Sequence, residues 1–362
     1  HPLIAEAVWK IYEKIPDKNK GRRFLKETFQ PLRDYYDWWE RERDRDQNGL
    51  ITIYHSWESG ADNSPRFDPV YGAKTEKFRE WSYNLFHKFP VMRILKETHF
   101  QSSPFKVEAV DMNSYYYKNL KTLAKIAREL GEDESARDLL KRAEKTKEAI
   151  LTQLWDKENE MFCDLGVIKG RKTHISIRTP FSFLPLYAGI LDKGDPRIKD
   201  MVKQIMDASK FFTPYPLPTI SADEYSFDPS EYWRGSVWVN INYFIIKGLM
   251  NYGYYEEAEY LIYKTLEMVE KGGFREYFNP VTAEGYRAEK FTWTAALVIE
   301  LSYLLNELYG AEIVKPVDMG LEVFKPEGKG PDWSDPTFRF ENLPPLKPSR
   351  RLPNNNLKLF IS

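Results

Sequence analysis

Apolar residues recur at every third or fourth position over most of this chain, which is the period of an amphipathic α-helix. One apolar stripe occupies 116–130, and a second follows at 136–150 after Gly131. This spacing predicts two helices joined by a very short loop, with Gly131 ending the first and Asp133 capping the second. The same period predicts helices over 3–16, 22–44, 74–98, 196–206, 256–271 and 291–308.

A different pattern occupies 237–249, where nearly every residue is apolar. A helix that is apolar all round is buried on every side. Such segments alternate with amphipathic ones, and convincing strand patterns are few. We therefore predict an all-α toroid of helical hairpins, with an inner ring of buried helices and an outer amphipathic ring. Residues 163–178 are predicted to be a loop.

The helical pattern stops near Ile313, beyond which prolines and charged residues dominate. We therefore divide the chain into a helical domain at 1–312 and a loosely packed tail at 313–362. The chain opens at His1, without a methionine and inside a helical pattern. We expect further helices to precede His1 in the natural protein.

Composition and charge narrow the functional classes. With 53 basic and 54 acidic residues, the net charge of -1 offers no positive excess for nucleic acid or an anionic membrane surface. No apolar run approaches the roughly 20 residues that span a bilayer. The single Cys163 cannot form an intrachain disulfide, so we expect a cytoplasmic location. Aromatic residues make up 15% of the chain, with 10 tryptophans, which suits a large core, a sugar-binding cleft, or both.

The stretch 54–68 favours neither a regular helix nor a strand. It places three carboxylates, an arginine and an amide among aromatic residues. Gly60 permits a positive φ, and Pro65 turns Ser64 away from the helical region. We read an ordered loop of the kind that carries chemistry on a rigid scaffold. The alternative is that these polar residues only form turns and ion pairs.

Residues 44–51 resemble the first half of a calcium-binding EF-hand loop. The twelfth position of that loop, however, holds His55 where a bidentate glutamate is needed. We interpret the segment as a tight turn that leads into the stretch 54–68. His174 is isolated in its predicted loop and is not expected to be a ligand. The sequence therefore predicts neither a metal site nor a cofactor.

Two later stretches carry polar groups that need partners. At 232–242, a buried helix begins with two tryptophans, Arg234 and two asparagines, which is costly unless a ligand or neighbouring carboxylates pair with them. At 274–293, Glu276 lies in a loop among aromatic residues, and Asp62 lies in a comparable loop. Two carboxyls that face an aromatic cleft are the minimum equipment for glycoside hydrolysis. One donates a proton to the leaving oxygen, and the other activates water or attacks carbon.

Three runs of this chain closely resemble glycoside hydrolase family 63: WESGADNSPR at 57–66, YWRGSVWVNIN at 232–242, and EYFNPVT at 276–282 followed by FTWTA at 291–295. The nearest resemblance is to its branch of mannosylglycerate and glucosylglycerate hydrolases. Eukaryotic processing α-glucosidase I is a more distant member. The resemblance covers about residues 30–310, and the runs keep the order and rough spacing of the family.

The resemblance implies an (α/α)6 toroid and inverting hydrolysis of small α-glucosides or α-mannosides, with glucosylglycerate and mannosylglycerate as expected substrates. Asp62 stands at the general-acid position and Glu276 at the general-base position. The residues that match sugar-pocket positions are Trp57, Tyr232, Trp233, Arg234, Trp238 and Trp293. From the same runs we add Asn63, Arg66, Asn240 and Tyr277 as substrate-binding candidates.

Two features depart from the family pattern. A full toroid has twelve helices and about ten are predicted here, so the missing ones would precede His1. Lys290, just before Phe291, stands where a polar substrate-reading residue is expected. A cation there would favour a carboxylate-bearing leaving group such as glycerate, although an exposed lysine with no role fits the pattern as well.

Three other functions fit parts of the pattern. An α-glucosidase acting on oligosaccharides, like processing glucosidase I or trehalase, would use the same two carboxyls. A sugar epimerase on the same toroid relies on histidines, and none of the five here falls in the three runs. A carbohydrate-binding protein without activity would need neither Asp62 nor Glu276. Each of these functions implies a small-molecule carbohydrate as partner, and the sequence leaves the oligomeric state open.

Overall fold

The computed structural model describes residues 1–72 and 105–309. Its helices are α1 (Ile4–Lys14), α2 (Lys18–Arg43), α3 (Asp68–Tyr71), α4 (Val110–Leu130), α5 (Asp133–Ala149), α6 (Leu184–Ala188), α7 (Pro196–Ile205), α8 (Val239–Asn251), α9 (Tyr255–Gly272) and α10 (Thr292–Tyr309). The helices predicted over 74–98 and the tail at 313–362 lie outside the described residues.

The strands are short and pair into three small sheets. They are β1 (Val107–Glu108), β2 (Trp155–Asp156), β3 (Met161–Phe162), β4 (Asp164–Ile168), β5 (Arg171–Ile175), β6 (Arg275–Phe278) and β7 (Gly285–Glu289). All pairings are antiparallel, in the orders β1-β4-β5, β2-β3 and β6-β7.

Local signals in the sequence set several helix ends. The Asp195 carboxylate accepts the Arg197 backbone N–H at 3.0 Å, and Pro196 is the first residue of α7. Gly131 ends α4 in the left-handed conformation, with φ 84°. The predicted cap of α5 by Asp133 is wrong, because the helix already begins at Asp133 and the residue before it, Glu132, makes no side-chain cap.

The helices pack in two layers. Helices α1, α4, α6, α8 and α10 contact one another in that order and form the inner layer. Outside them, α2 packs on α1 and α4, α5 packs on α4, and α9 packs on α8 and α10. An inner helix thus pairs with an outer one along the chain, which confirms the predicted all-α toroid of helical hairpins.

Helix α8 is buried around most of its circumference, as its apolar pattern predicts. Asn242 is a polar exception and is fully buried. Its amide accepts the Leu217 N–H at 3.1 Å and donates to the Pro216 carbonyl and the Thr265 hydroxyl. These bonds offset the cost of burying the amide and fasten both the segment 216–217 and helix α9 to α8.

Two segments predicted as loops are hairpins instead. Residues 163–178 contain β4 and β5, and residues 274–293 contain β6 and β7. In both hairpins the second strand is largely solvent-exposed and polar, so it lacks the alternation of apolar residues that marks a half-buried strand. His174, in β5, bonds through its Nε2 to the Gln153 carbonyl at 2.7 Å. Within the described ranges, the structure contains no helix long and apolar enough to cross a membrane.

Candidate active site

The loop that carries Asp62 is built from consecutive tight turns. Ser56–Ser59 forms one 3-10 turn and Pro65–Phe67 another. Gly60 between them has φ 71°, and a β-carbon added there would lie 2.6 Å from the His1 ring. The positive φ therefore favours glycine at this position, whereas the His1 ring is a side chain that could shift to admit a β-carbon.

Arg66 anchors this loop to α4 and β4. Its side chain is 2% exposed and makes a bidentate ion pair with Asp111, at 2.8 and 3.1 Å, and a second pair with Asp164 at 3.2 Å. Because its Nη atoms are committed to these carboxylates, we assign Arg66 to holding the loop on the N-terminus of α4. This replaces the substrate contact expected from the sequence.

The second motif is tied directly to the Asp62 loop. The Asn63 side chain accepts the Trp233 N–H at 3.1 Å and donates to Glu231 at 3.0 Å. Arg234 donates to the Asn63 carbonyl at 3.0 Å and pairs with Asp68 at 2.7 Å. Asn63 and Arg234, both expected to bind substrate, thus hold two loops together beside Asp62.

Four aromatic side chains form a compact group next to these loops, which we call the aromatic platform: Tyr232, Trp233, Trp238 and Tyr277. Trp238 stacks between Trp233 and Tyr277, with ring centroids 4.0 and 5.3 Å apart. Tyr232 meets the edges of Trp238 and Tyr277 at 5.2 and 5.5 Å. The structure therefore brings four of the sequence-predicted site residues into one cluster.

Two other predicted tryptophans are more exposed than those of the platform. Trp57 is 40% exposed and packs against His55, and Trp293 is 47% exposed and packs against Phe291. Asn240 is buried in the first turn of α8. Of the four tryptophans that match sugar-pocket positions, Trp233 and Trp238 stack on each other.

Glu276 lies on β6, which is clamped between two inner helices. Val237, just before α8, exchanges two backbone hydrogen bonds with Phe278, at 2.7 and 3.0 Å. The Thr294 hydroxyl, in the first turn of α10, donates to the Arg275 carbonyl at 2.8 Å. Glu276 is thereby carried at the end of the toroid where α4, α8 and α10 begin.

Electrostatics connects the two candidate carboxyls through a shared neighbour, Tyr232. Burial raises the pKa of the Tyr232 phenol, and the negative charges of Asp62 and then Glu276 raise it further. The charges of Asp62 and Glu276 thus act on the same hydroxyl, although the two residues belong to segments that are far apart in the sequence. In the loop that carries Asp62, burial also raises the pKa of Glu58, which pairs with Arg43 at 3.0 Å.

Sequence reasoning missed one cation at this site, Arg287 on β7. Its guanidinium lies 4.6 Å from the Tyr232 ring centroid, and its Nε donates to the Tyr277 hydroxyl at 3.3 Å. That hydrogen bond raises the pKa of Arg287, and charges that include Glu276 add to the effect. Recognising 274–293 as a hairpin would have pointed to Arg287, because the two strands of a hairpin face each other side by side.

Lys290, the cation expected to contact the leaving group, directly follows β7, with φ 52° and an exposed side chain.

The EF-hand-like segment at 44–51 forms a turn in which the Asp44 carboxylate accepts the Gly49 N–H at 3.1 Å and pairs with Lys145 at 3.2 Å. In the part of the chain that the structure describes, no group of three His, Cys, Asp or Glu side chains could hold a metal ion.

Known proteins resemble this chain over most of its length. The family profile for the mannosylglycerate hydrolase MGH1-like glycoside hydrolase domain matches residues 1–294. Mannosylglycerate hydrolase of Thermus thermophilus is 31% identical over 82% of this chain and 75% of its own length. Glucosylglycerate hydrolase of Mycolicibacterium hassiacum is 26% identical over 83% and 73%.

Solved structures agree in fold. The GH63 mannosylglycerate hydrolase from Thermus thermophilus in complex with glucose superposes with a TM-score of 0.74 at 31% identity, over 83% of this chain and 74% of that one. The same enzyme in complex with Tris and D-glycerate gives 0.72 at 29% identity, over 82% and 76%. Taken with the profile match, this likeness shows that the chain belongs to glycoside hydrolase family 63, in its mannosylglycerate hydrolase-like group, and is a glycosidase.

Proposed function

We propose that this chain is an inverting glycosidase that hydrolyses small α-glucosides or α-mannosides of glycerate. The observation that carries the proposal is the position of Tyr232, which belongs to the aromatic platform and is acted on by the charges of both Asp62 and Glu276. Tyr232 is the half-buried ring of the platform, whereas Trp233, Trp238 and Tyr277 are buried behind it, and a flat ring of this kind suits the apolar face of a pyranose. Relatives named as mannosylglycerate and glucosylglycerate hydrolases support glycerate as the leaving group.

In the proposed reaction, Asp62 donates its proton to the glycosidic oxygen as the bond to the anomeric carbon breaks. Glu276 accepts a proton from a water molecule, whose oxygen bonds to the anomeric carbon from the opposite face. The products are the free sugar with inverted configuration and the leaving group with its hydroxyl restored. Asp62 ends ionised and Glu276 protonated, and exchange with solvent resets both.

The remaining candidates are given supporting roles in this proposal. Trp57, Asn240 and Trp293 are proposed to contact substrate, and Arg66, Asn63 and Arg234 to fix the loops. The lone Cys163 is compatible with a cytoplasmic location, which stays a prediction.

The test compares two variants on substrates with poor and good leaving groups. We expect Asp62→Asn to lower kcat on a glycosylglycerate about 10²- to 10⁴-fold but to affect a glycosyl fluoride much less, because fluoride needs little protonation. Glu276→Gln should lower both rates alike, because every turnover needs the activated water. Steady-state kinetics on both substrates measures the difference.

Matched controls are Asp192→Asn and Glu148→Gln, which remove exposed carboxylates from other parts of the surface. Both should retain wild-type rates. Wild-type rates in Asp62→Asn or Glu276→Gln would refute the catalytic roles. Turnover of oligosaccharides with no turnover of glycosylglycerates would refute the proposed substrate class.

A further inference from the structure

Arg287 brings a positive charge to the edge of the aromatic platform. Its Nε is occupied by the Tyr277 hydroxyl, and its guanidinium lies over the Tyr232 ring. Within residues 1–72 and 105–309, it forms no ion pair shorter than 4.0 Å. Since Nε makes the contact with Tyr277, the two terminal nitrogens retain four N–H donors in a planar fork.

Other cations near the site are already committed. Arg275 pairs with Glu289 at 2.9 Å, and Arg234 pairs with Asp68 at 2.7 Å. Arg66 is buried between Asp111 and Asp164. Lys290 is exposed, and no contact among the described residues joins it to the platform. Of these cations, Arg287 is the one held by platform residues with donors to spare.

The fork of an arginine matches a carboxylate through two parallel hydrogen bonds. In a 2-O-glycosylglycerate, the carboxylate carbon is two bonds from the glycosidic oxygen. We therefore consider Arg287, which contacts Tyr232 and Tyr277, as the partner of such a carboxylate. The contacts with Tyr232 and Tyr277 restrain the guanidinium, which reduces the entropy lost when the pair forms.

We infer that Arg287 binds the carboxylate of the leaving group and makes the site selective for glycosides of 2-hydroxy acids over glycosides of neutral polyols. This inference rests on the proposed function and adds to it the residue that recognises the leaving group. It also replaces Lys290 as the cation expected for that role.

The experiment measures kcat/KM for two substrates that share one sugar, a glycosylglycerate and the neutral glycosylglycerol. We expect Arg287→Gln to reduce the ratio of the two values about 10- to 100-fold, the size typical of a charge-assisted hydrogen bond. Arg287 has φ 57°, and glutamine bears the same left-handed backbone cost, so the change adds no backbone strain to the hairpin. Arg287→Lys should restore part of the ratio, because it returns the charge without the fork.

Two comparison variants sharpen the result. Arg171→Gln removes an exposed arginine from the β4–β5 hairpin and should leave the ratio unchanged. Lys290→Gln tests the rival cation and should change the ratio by less than about threefold, since no contact joins it to the platform among the described residues. A larger effect in Lys290→Gln than in Arg287→Gln would overturn the inference. Equal losses on both substrates in Arg287→Gln would also overturn it, because they would mean that Arg287 supports Glu276 and does not select the leaving group.

Failure of the proposed function would look different. If the wild-type enzyme hydrolyses neither substrate, the function is wrong, and calorimetric titration with free D-glycerate then tests Arg287 without turnover. Tighter binding to wild type than to Arg287→Gln, by about 10-fold or more, would uphold the assignment. Equal affinities, or no binding to either protein, would reject it.

Discussion

Arg66 combines charge and burial in a way that decides where the Asp62 loop lies. Its guanidinium faces two carboxylates and is flanked by the rings of Phe181 and Phe67, with centroids 4.0 and 4.6 Å away. Burying one cation with two carboxylates leaves a negative excess in a region of low dielectric. Burial raises the pKa of Asp164 to about 6, because desolvation outweighs the attraction of Arg66.

This gives the stability of the protein a specific pH dependence. The folded-state pKa of Asp164 lies above the ordinary value of about 4 that it has when unfolded. Its protonation therefore contributes stability that is fully present below about pH 4 and lost as pH rises through about 6. We expect the unfolding free energy of wild type, relative to Asp164→Asn, to fall by up to about 3 kcal/mol between pH 4 and pH 7.

Urea unfolding at several pH values measures this difference. Asparagine keeps the oxygen that accepts the Val110 N–H, so the variant retains that anchor. The exposed Asp192→Asn serves as control, and its curve should run parallel to wild type. Parallel curves for Asp164→Asn as well would show that Asp164 does not titrate in this window.

At the scale of elements, the site depends on how two inner helices begin and on the hairpin between them. Helix α8 fixes the platform through the segment just before its first turn, and β6 is held against that segment by the Val237–Phe278 pair. The hairpin carries Glu276 on one strand and Arg287 on the other. Its geometry therefore relates Glu276, the base in our proposal, to the cation that we assign to the leaving group.

The packing of α8 against α6 makes a second prediction. A β-carbon added to Gly248 would lie 2.9 Å from both the Leu186 Cβ and the Tyr187 backbone nitrogen. Glycine to alanine inside a helix ordinarily gains about 1 kcal/mol, but overpacking against backbone costs about 1–3 kcal/mol. The two effects leave a net cost, and we expect Gly248→Ala to lower the unfolding free energy by up to about 2 kcal/mol.

Thermal and urea unfolding would measure that change. Glu144→Ala, on the exposed face of α5, is the matched control and should stay within about 0.5 kcal/mol of wild type. If Gly248→Ala proves more stable than wild type, helix propensity controls this position, and the inner layer is less tightly packed there than we describe.

For the whole molecule, the stereochemical course follows from the distance between two carboxyls, one on the Asp62 loop and one on β6. An inverting enzyme needs room for a water molecule, so its carboxyls lie roughly 6.5–9.5 Å apart, against roughly 5–5.5 Å in a retaining one. We expect the wider separation for Asp62 and Glu276. Proton NMR of the first sugar released from an α-glycoside should then show the β-anomer. Initial release of the α-anomer would mean retention and would remove Glu276 from the role of base.

The sequence by itself determined the features that depend on neighbours along the chain. The period of apolar residues gave the helices, Gly131 and the Asp195–Pro196 pair gave helix ends, and the apolar run at 237–249 gave burial. The three runs that resemble glycoside hydrolase family 63 pointed to the family that the comparisons then showed. Each of these signals lies within a short stretch of sequence, so each can be recognised without knowledge of the fold.

Only the tertiary structure decided which polar groups meet. Arg66 was expected to touch substrate, yet its partners Asp111 and Asp164 come from α4 and β4. Exposed, polar β7 has no apolar alternation, so nothing local marked Arg287 as a neighbour of Tyr232. An ion pair or ring contact between distant segments depends on how the helices and hairpins pack together. The spacing of apolar residues along the chain does not encode that packing. For that reason the sequence revealed the helices and the candidate carboxyls, whereas the fold revealed their anchors and the cation beside them.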